Sequence, residues 1–89
     1  MKILAVCGLG QGTSLLLKMN IEDVLRDLGV EADVDYMDAS AAKSEAADVI
    51  MASPQLAPLL EGHSANVIVL DSYLDKEEIK QKLSEHLES

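Results

Sequence analysis

Four short apolar segments recur along the chain, each about as long as a β-strand. Residues 3–6, 48–52 and 66–70 are almost continuously apolar, which is typical of strands buried on both faces in a parallel sheet. Residues 30–36 instead alternate apolar and acidic side chains. That alternation predicts a strand with one exposed face at the edge of a sheet.

Helical periodicity predicts a long helix between the first two strands. We expect it to start with Leu15, with Thr13 or Ser14 as its N-cap, and to stop at Gly29. Its apolar positions recur every three or four residues: Leu17, Ile21, Val24, Leu25 and Leu28. Residues 38–46 are polar and rich in alanine, which indicates a short helix or a loop.

A second helix is predicted after the third strand. Ser53 is followed by Pro54, which is the pattern of an N-cap residue with proline at the first helical position. This helix should cover about residues 54–60 and end at Gly62.

The last helix has a marked start. Asp75 is followed three residues later by Glu78, which predicts a capping box. Leu74 and Ile79 suit a hydrophobic staple around the same start. One face of this helix is then apolar: Ile79, Leu83 and Leu87.

The order of elements is therefore β-α-β-(α)-β-α-β-α in a single domain over residues 1–89. We expect an open, Rossmann-like, four-stranded parallel sheet with helices on both faces. Right-handed crossovers and short loops favour strand order 2-1-3-4. The switch point then falls between strands 1 and 3 at their carboxyl ends, where Cys7 and Ser53 stand on neighbouring strand tips.

Composition narrows the classes of function. The chain has 16 acidic and 7 basic residues, a net charge of −9, and no Phe or Trp, so we expect no binding of nucleic acid. No segment reaches the roughly 20 apolar residues that span a bilayer. One cysteine and no signal sequence indicate the reducing cytoplasm. Cys7, His63 and His86 are too far apart in sequence to suggest a metal site, and no cofactor is indicated.

The first strand leads into a loop that joins a thiol to glycines and hydroxyls. The glycines let several backbone N–H groups converge, and the following helix N-terminus favours an anion and the thiolate form of Cys7. The loop contains no Lys or Arg, so anion binding would depend on backbone N–H groups and hydroxyls. The candidate residues are Cys7 as nucleophile and a phosphate-binding run of Gly8, Leu9, Gly10, Gln11, Gly12, Thr13 and Ser14.

Each of these features also has a structural interpretation. A lone cysteine after an apolar strand is often a small buried hydrophobe, and Gly-x-Gly-x-Gly is common in turns. Ser53 is the best supporting residue beside Cys7, although an N-cap role alone would explain it. We expect His63 to be a solvated loop residue. His86 lies in the last turn of the final predicted helix, where a cationic side chain interacts favourably with the helix dipole.

The loop resembles the cysteine loop of the IIB components of the sugar phosphotransferase system, with a pattern like Cys-x-x-Gly-x-Gly-[ST]-[ST]. Residues 3–14 look most like the ascorbate-specific branch, with lactose and galactitol types nearby. The resemblance implies a phosphotransferase that takes a phosphoryl group from a phosphohistidine IIA protein onto Cys7. It further implies transfer to a sugar held in a membrane IIC transporter. Because the sequence shows no large apolar surface, we expect the domain to be a monomer.

Three other functions stay open. A low-molecular-weight phosphatase or arsenate reductase has a similar loop, but uses Cys-x5-Arg to grip phosphate, and here Thr13 stands at the arginine position. A non-enzymatic regulatory domain of the receiver type needs acidic residues after the first strand, where this chain has Cys7 and Gly8. A thiol redox switch lacks a second cysteine within the chain.

Overall fold

The computed structural model describes residues 1–6, 11–72 and 75–88, without the side chains of residues 11–14 and 88. Four parallel strands form one sheet in the order β2-β1-β3-β4, as predicted. The strands are β1 (Lys2–Val6), β2 (Asp33–Met37), β3 (Val49–Ala52) and β4 (Asn66–Val69). The helices are α1 (Gln11–Leu28), α2 (Ala39–Ala42), a 3₁₀ helix (Ala57–Leu60) and α3 (Lys76–Glu88).

Alternation along β1 and β3 divides the interior into two layers, because successive strand side chains point to opposite faces. Ile3 and Ala5 face α1 and α3, and pack with Val49 and Met51 of the neighbouring strand. Leu4 and Val6 face α2 and the 3₁₀ helix. Both faces of the sheet are therefore covered, which explains why β1 and β3 are apolar at almost every position.

β2 is an edge strand, as its alternating sequence predicts. Val34 and Tyr36 pack against the layer of α1 and α3, while Asp33 and Asp35 are exposed. Acidic side chains on an edge strand disfavour pairing with a strand of another molecule.

Helix α1 ends as predicted and begins earlier than predicted. Gly29 has φ +70°, and its N–H donates to Arg26 O at 3.2 Å while Val30 N–H donates to Leu25 O at 3.0 Å. This Schellman pattern requires a left-handed residue, which glycine adopts without strain. The helix starts at Gln11, so Thr13 and Ser14 lie in its first turn and are not its N-cap. The apolar positions that predict the helix begin at Leu17, so they do not reveal the polar first turn before it.

The helix predicted over residues 54–60 is wrong in type and length. Residues 54–56 form a turn, and only Ala57–Leu60 is helical, as a 3₁₀ helix. An α-helix starting at Pro54 would need Pro58 to donate an N–H to residue 54, but proline has no N–H and its ring clashes with that carbonyl. Ser53 is consequently not a helix N-cap. Its carbonyl oxygen instead accepts from the N–H groups of Leu56 and Ala57, each at 3.1 Å.

The start of α3 forms half of the predicted capping box. Asp75 Oδ1 accepts from the N–H groups of Glu77 at 3.0 Å and Glu78 at 3.4 Å, as an N-cap does. The Glu78 carboxylate does not return to Asp75, because it binds the N–H groups of Asp71 and Ser72. The staple between Leu74 and Ile79 lies outside the described residues.

The segment 38–46 contains the short helix α2, one of the two alternatives left open. Asp38 Oδ1 caps it by accepting from Ala41 N–H at 2.7 Å, and Ala39 and Ala42 are buried against the sheet. In the part of the chain described, no helix has the length and apolarity needed to cross a membrane.

Candidate functional site

The carboxyl edge of the sheet brings together the ends of β1 and β3. Val6 and Ala52 are register partners in these neighbouring strands, and both are fully buried. Cys7 follows Val6 directly and Ser53 follows Ala52, so the two candidate residues leave adjacent strand ends. Ser53 is half-buried at this position. In an open parallel sheet with this strand order, ligands bind at this switch point.

Cys7, Gly8, Leu9 and Gly10 lie outside the described residues, as do the side chains of Gln11, Thr13 and Ser14. The backbone of residues 11–14 forms the first turn of α1. The N–H groups of Gln11, Gly12 and Thr13 therefore have no carbonyl partner within the helix. They lie at the positive end of the helix dipole, four to six residues after Cys7.

Gly12 lies in the first turn of α1 and not in the loop before it. It has helical backbone conformation, and among the described glycines only Gly29 and Gly62 have positive φ. A Cβ in the first turn of a helix tilts toward the helix N-terminus, and a glycine at this position has none.

Lys18 is the first cationic residue after the loop. It lies one helical turn beyond Ser14, the last residue of the phosphate-binding run. Its Nζ lies 5.8 Å from the centroid of the Tyr36 ring, a distance at which a cation is attracted by the ring face. Tyr36 is the penultimate residue of β2 and pairs in register with Ala5 of β1. The ammonium group is therefore held at the β2 side of the carboxyl edge, where it contributes positive charge at the margin of the site.

The junction of β4 and α3 also lies at this edge, and sequence reasoning missed how it is held. Glu78 Oε2 accepts from Asp71 N–H at 2.8 Å, and Oε1 accepts from Ser72 N–H at 2.9 Å. Lys82 Nζ lies 2.9 Å from Glu78 Oε2 and also donates to Val69 O. The hydrogen bond from Lys82 and those from the two backbone N–H groups lower the pKa of Glu78 to about 2. The i,i+4 spacing of Glu78 and Lys82 is readable in the sequence, but the backbone groups they bind are not.

His63 is bound to backbone groups, so the prediction of a solvated loop residue is wrong. Its Nδ1 accepts from Ala65 N–H at 2.9 Å, and its Nε2 lies 2.9 Å from Ala42 O and 3.0 Å from Glu45 O. It precedes β4, at the amino edge of the parallel sheet, and is therefore at the opposite edge from the carboxyl end of β1. Within residues 1–6, 11–72 and 75–88, no three His, Cys, Asp or Glu residues are grouped to hold a metal ion.

Comparison with known proteins finds a matching family and similar sequences. The protein family described as "PTS system, Lactose/Cellobiose specific IIB subunit" matches residues 2–85. A relative from Mycoplasma pneumoniae, named ascorbate-specific PTS system EIIB component, is 34% identical over 88 residues, covering 96% of this chain and 93% of the relative. A protein of the same name from Escherichia coli O157:H7 is 40% identical over 58 residues, covering 63% and 57%.

A solved structure with a similar fold is the lactose-specific IIB component domain from Streptococcus pneumoniae. The two chains superpose with a TM-score of 0.63 over 99% of this chain and 95% of that domain, at 22% sequence identity. At this identity the likeness establishes the fold. The strand order β2-β1-β3-β4 is thus the order of a known IIB architecture.

Proposed function

Because the chain belongs to the lactose/cellobiose-specific IIB family of the phosphotransferase system, we propose that Cys7 is the residue that carries the phosphoryl group. IIB components are phosphotransferases in sugar transport and work with IIA and IIC proteins. In this proposal residues 1–89 form one phosphotransferase domain. It acts in the cytoplasm as a monomer, between a phosphohistidine IIA donor and a membrane IIC transporter.

The start of α1 is the observation that carries the proposal. The helix begins at Gln11, so the N–H groups of Gln11, Gly12 and Thr13 are free to bind oxygens of a group on the Cys7 sulfur. Gly8, Leu9, Gly10 and the hydroxyls of Thr13 and Ser14 would complete the phosphate-binding run. Ser53, on the adjacent strand end, is a supporting residue beside it.

The transfer has two steps at phosphorus. The Cys7 thiolate attacks the phosphoryl group of a phosphohistidine whose other ring nitrogen is protonated. An S–P bond forms and the N–P bond breaks, so that the donor side chain leaves as a neutral imidazole. A sugar hydroxyl then attacks the same phosphorus, its proton goes to a base at the acceptor site, and the thiolate leaves. Backbone N–H groups aimed at the phosphoryl oxygens stabilise the charge that develops in each step.

The residue at the sixth position after Cys7 favours a carrier over a phosphatase. Phosphatases with a similar loop grip phosphate there with arginine, which donates two parallel hydrogen bonds. This chain has Thr13 at that position. A neutral cradle binds the phosphoryl group less tightly, and this suits a group that must be handed on.

The names of the relatives support an acceptor of the ascorbate type. The proteins from Mycoplasma pneumoniae and Escherichia coli are both named ascorbate-specific. We therefore propose ascorbate, or a sugar acid like it, as the substrate that receives the phosphoryl group. Uptake of labelled ascorbate by cells that express this chain with its IIA and IIC partners would test this assignment against lactose and galactitol.

The phosphorylation site is tested by substitution of the thiol. Purified IIA proteins of the ascorbate, lactose and galactitol types are phosphorylated in advance, and the one that labels the wild-type chain is used. We expect one phosphoryl group per chain, located by mass spectrometry in the peptide that contains Cys7, and less than about 1% of that label on Cys7→Ser, because loss of a nucleophile costs several orders of magnitude in rate.

Two substitutions outside the loop serve as controls for this experiment. His63→Gln and His86→Gln remove the chain's two histidines, which are the alternative phosphoryl acceptors. Wild-type label on Cys7→Ser that disappears in either histidine variant would move the site away from the cysteine.

A further inference from the structure

A half-buried lysine lies on the same side of α1 as the first residue of that helix. Lys18 follows Gln11 by seven residues, so the two positions lie within about 20° of each other around the helix axis. Along the axis they are about 10 Å apart, at 1.5 Å per residue. Long side chains of a helix lean toward its N-terminus, which favours a position of the Lys18 ammonium group closer to the first turn than its Cα.

Tyr36 fixes this ammonium group from the neighbouring strand β2. The Lys18 Nζ lies 5.8 Å from the centroid of the Tyr36 ring, and the ring is itself half-buried against the layer of α1 and α3. Tyr36 pairs in register with Ala5, one residue before the end of β1 at Val6. Ring and ammonium group are therefore held near the edge of the sheet from which the cysteine loop leaves.

The contact with a ring holds the cation without cancelling its charge. An aromatic ring attracts a cation through its quadrupole and carries no net charge. Four other cations are each paired with a carboxylate oxygen at 2.9–3.3 Å: Lys2, Arg26, Lys76 and Lys82. Lys18 is in none of the ion pairs found among the described residues, although Glu22 stands one turn further along the same helix. Its positive charge is thus not offset by a carboxylate in that part of the chain.

We propose that Lys18 stabilises the phosphoryl group on Cys7 by its charge, and that Tyr36 is the positioning residue that holds Lys18 for this role. This rests on the proposed function, in which the thiolate has a charge of −1 and the phosphoryl group that replaces it has a charge of about −2. A nearby cation therefore favours the loaded form over the unloaded form and shifts the transfer equilibrium toward this chain. At a distance of about 10 Å its effect is smaller than that of a cation in direct contact, so the group is still transferable.

The distribution of label between donor and chain at equilibrium measures this effect. Phosphorylated IIA is mixed at low salt with wild type, Lys18→Gln or Lys43→Gln. The control removes the same charge at an exposed position directly after Ala42, whose carbonyl oxygen binds His63 at the amino edge. We expect the ratio of labelled chain to labelled donor to fall about three- to tenfold in Lys18→Gln, as for charges about 10 Å apart. Lys43→Gln should stay within about twofold of wild type, because the solvent screens its charge.

Rescue and salt separate an effect of charge from an effect of structure. Lys18→Arg keeps a cation that stacks on aromatic rings and should restore the wild-type ratio. Tyr36→Phe keeps the ring face and should match wild type, whereas Tyr36→Leu should lose part of the effect with circular dichroism unchanged. In 0.5 M NaCl the Lys18→Gln variant should come within about twofold of wild type. A loss that persists undiminished in high salt, or that Lys18→Arg does not restore, would overturn the proposal.

Alkylation tests the same charge without any donor protein. Cys7 is the only cysteine of the chain, so iodoacetate, an anion, and iodoacetamide, which is neutral, both report on this residue. We expect the ratio of their rates to fall about threefold in Lys18→Gln and to be unchanged in Lys43→Gln. A wild-type chain that no phosphorylated IIA protein labels would overturn the proposed function, and the role in transfer with it. A wild-type chain that is labelled, with an alkylation ratio unchanged in Lys18→Gln, would overturn the role of Lys18 alone.

Discussion

His63 joins two loops at the amino edge of the sheet through both ring nitrogens. Because Nδ1 accepts from Ala65 N–H, the ring proton is on Nε2, which is shared between the carbonyl oxygens of Ala42 and Glu45. The position after Gly62 suggests a solvated side chain, since sequence shows the polar loop and not the carbonyls that surround it. These carbonyls belong to a segment about 20 residues away, so only the fold reveals them.

We expect His63→Ala to lower the free energy of unfolding by about 1–3 kcal/mol, because it removes the acceptor of Ala65 N–H and the imidazole partner of Glu45 O. Ala42 O keeps its hydrogen bond from Glu45 N–H at 3.2 Å. Ser64→Ala, a change at the adjacent exposed residue, should stay within about 0.5 kcal/mol of wild type. Urea unfolding followed by circular dichroism measures both. Equal midpoints for the two variants would mean that water replaces the imidazole at no cost.

The regular elements follow from local sequence, and the exceptions have identifiable physical causes. The parallel strands, their order and the glycine end of α1 are confirmed, because burial on both faces and a left-handed C-terminal residue leave clear patterns at Ile3, Val49 and Gly29. The region after Ser53 is not helical as predicted, since Pro58 removes a hydrogen bond from the middle of that helix. The pattern Ser53-Pro54 favours a helix start, but Pro58, the fourth residue beyond Pro54, cannot donate the hydrogen bond that would continue an α-helix.

Some features of the candidate site can likewise be predicted from the sequence, and others cannot. A motif makes residues 7–14 the candidate site, and the strand order pairs Val6 with Ala52, the residues that precede Cys7 and Ser53 in the sequence. The start of α1 at Gln11 is not predictable from the apolar pattern, because residues 11–14 contain no apolar side chains at helical spacing. The contacts that hold Asp71 and Ser72 at the same edge depend on Glu78, which sequence assigns to a capping box.

Glu78 and Lys82 connect α3 to the end of β4. The pKa of Glu78 lies near 2, below its usual value of 4.5, because Lys82 and the N–H groups of Asp71 and Ser72 bind the ionised carboxylate. A depressed pKa means that the carboxylate stabilises the folded state above pH 4.5, and that this contribution is lost as the pH falls toward 2. Glu78 is 15% exposed, so solvent screens the interaction only in part.

We expect Glu78→Gln to lower the free energy of unfolding by about 1–2 kcal/mol at pH 7, as for loss of charge-assisted hydrogen bonds. The difference from wild type should shrink below pH 4.5 and disappear near pH 2, where the wild-type carboxyl is also neutral. Glu77→Gln, an exposed neighbour, is the matched control and should show a smaller, flatter difference. A difference in the free energy of unfolding between wild type and Glu78→Gln that is constant from pH 7 to pH 3 would show that the stabilisation comes from the shape of the side chain and not from its charge.

At the scale of the whole molecule, we expect charge repulsion to outweigh the ion pairs found in the described part of the chain. Three of these pairs, Lys2–Glu45, Arg26–Asp23 and Lys76–Asp23, are substantially exposed, and such pairs contribute only about 0–1 kcal/mol each. The fourth, Lys82–Glu78, is more buried. Against them stands a net charge of −9 in a body of 30 × 26 × 20 Å. At about 0.01 M salt the screening length is about 30 Å, so every acidic group repels the others across the molecule.

Salt should therefore stabilise this protein. We expect the Tm to rise by about 4 °C or more between 0.01 and 0.5 M NaCl, because relief of about 1 kcal/mol of repulsion shifts Tm by roughly 4–8 °C in a domain of this size. Asp33→Asn and Lys43→Gln, both at exposed positions, change the net charge in opposite directions. The first should reduce the salt response and the second should increase it, as followed by thermal unfolding at each salt concentration. A Tm that falls with salt in the wild type, or the reverse order of the two variants, would mean that the ion pairs around Asp23 and Glu78 outweigh the repulsion.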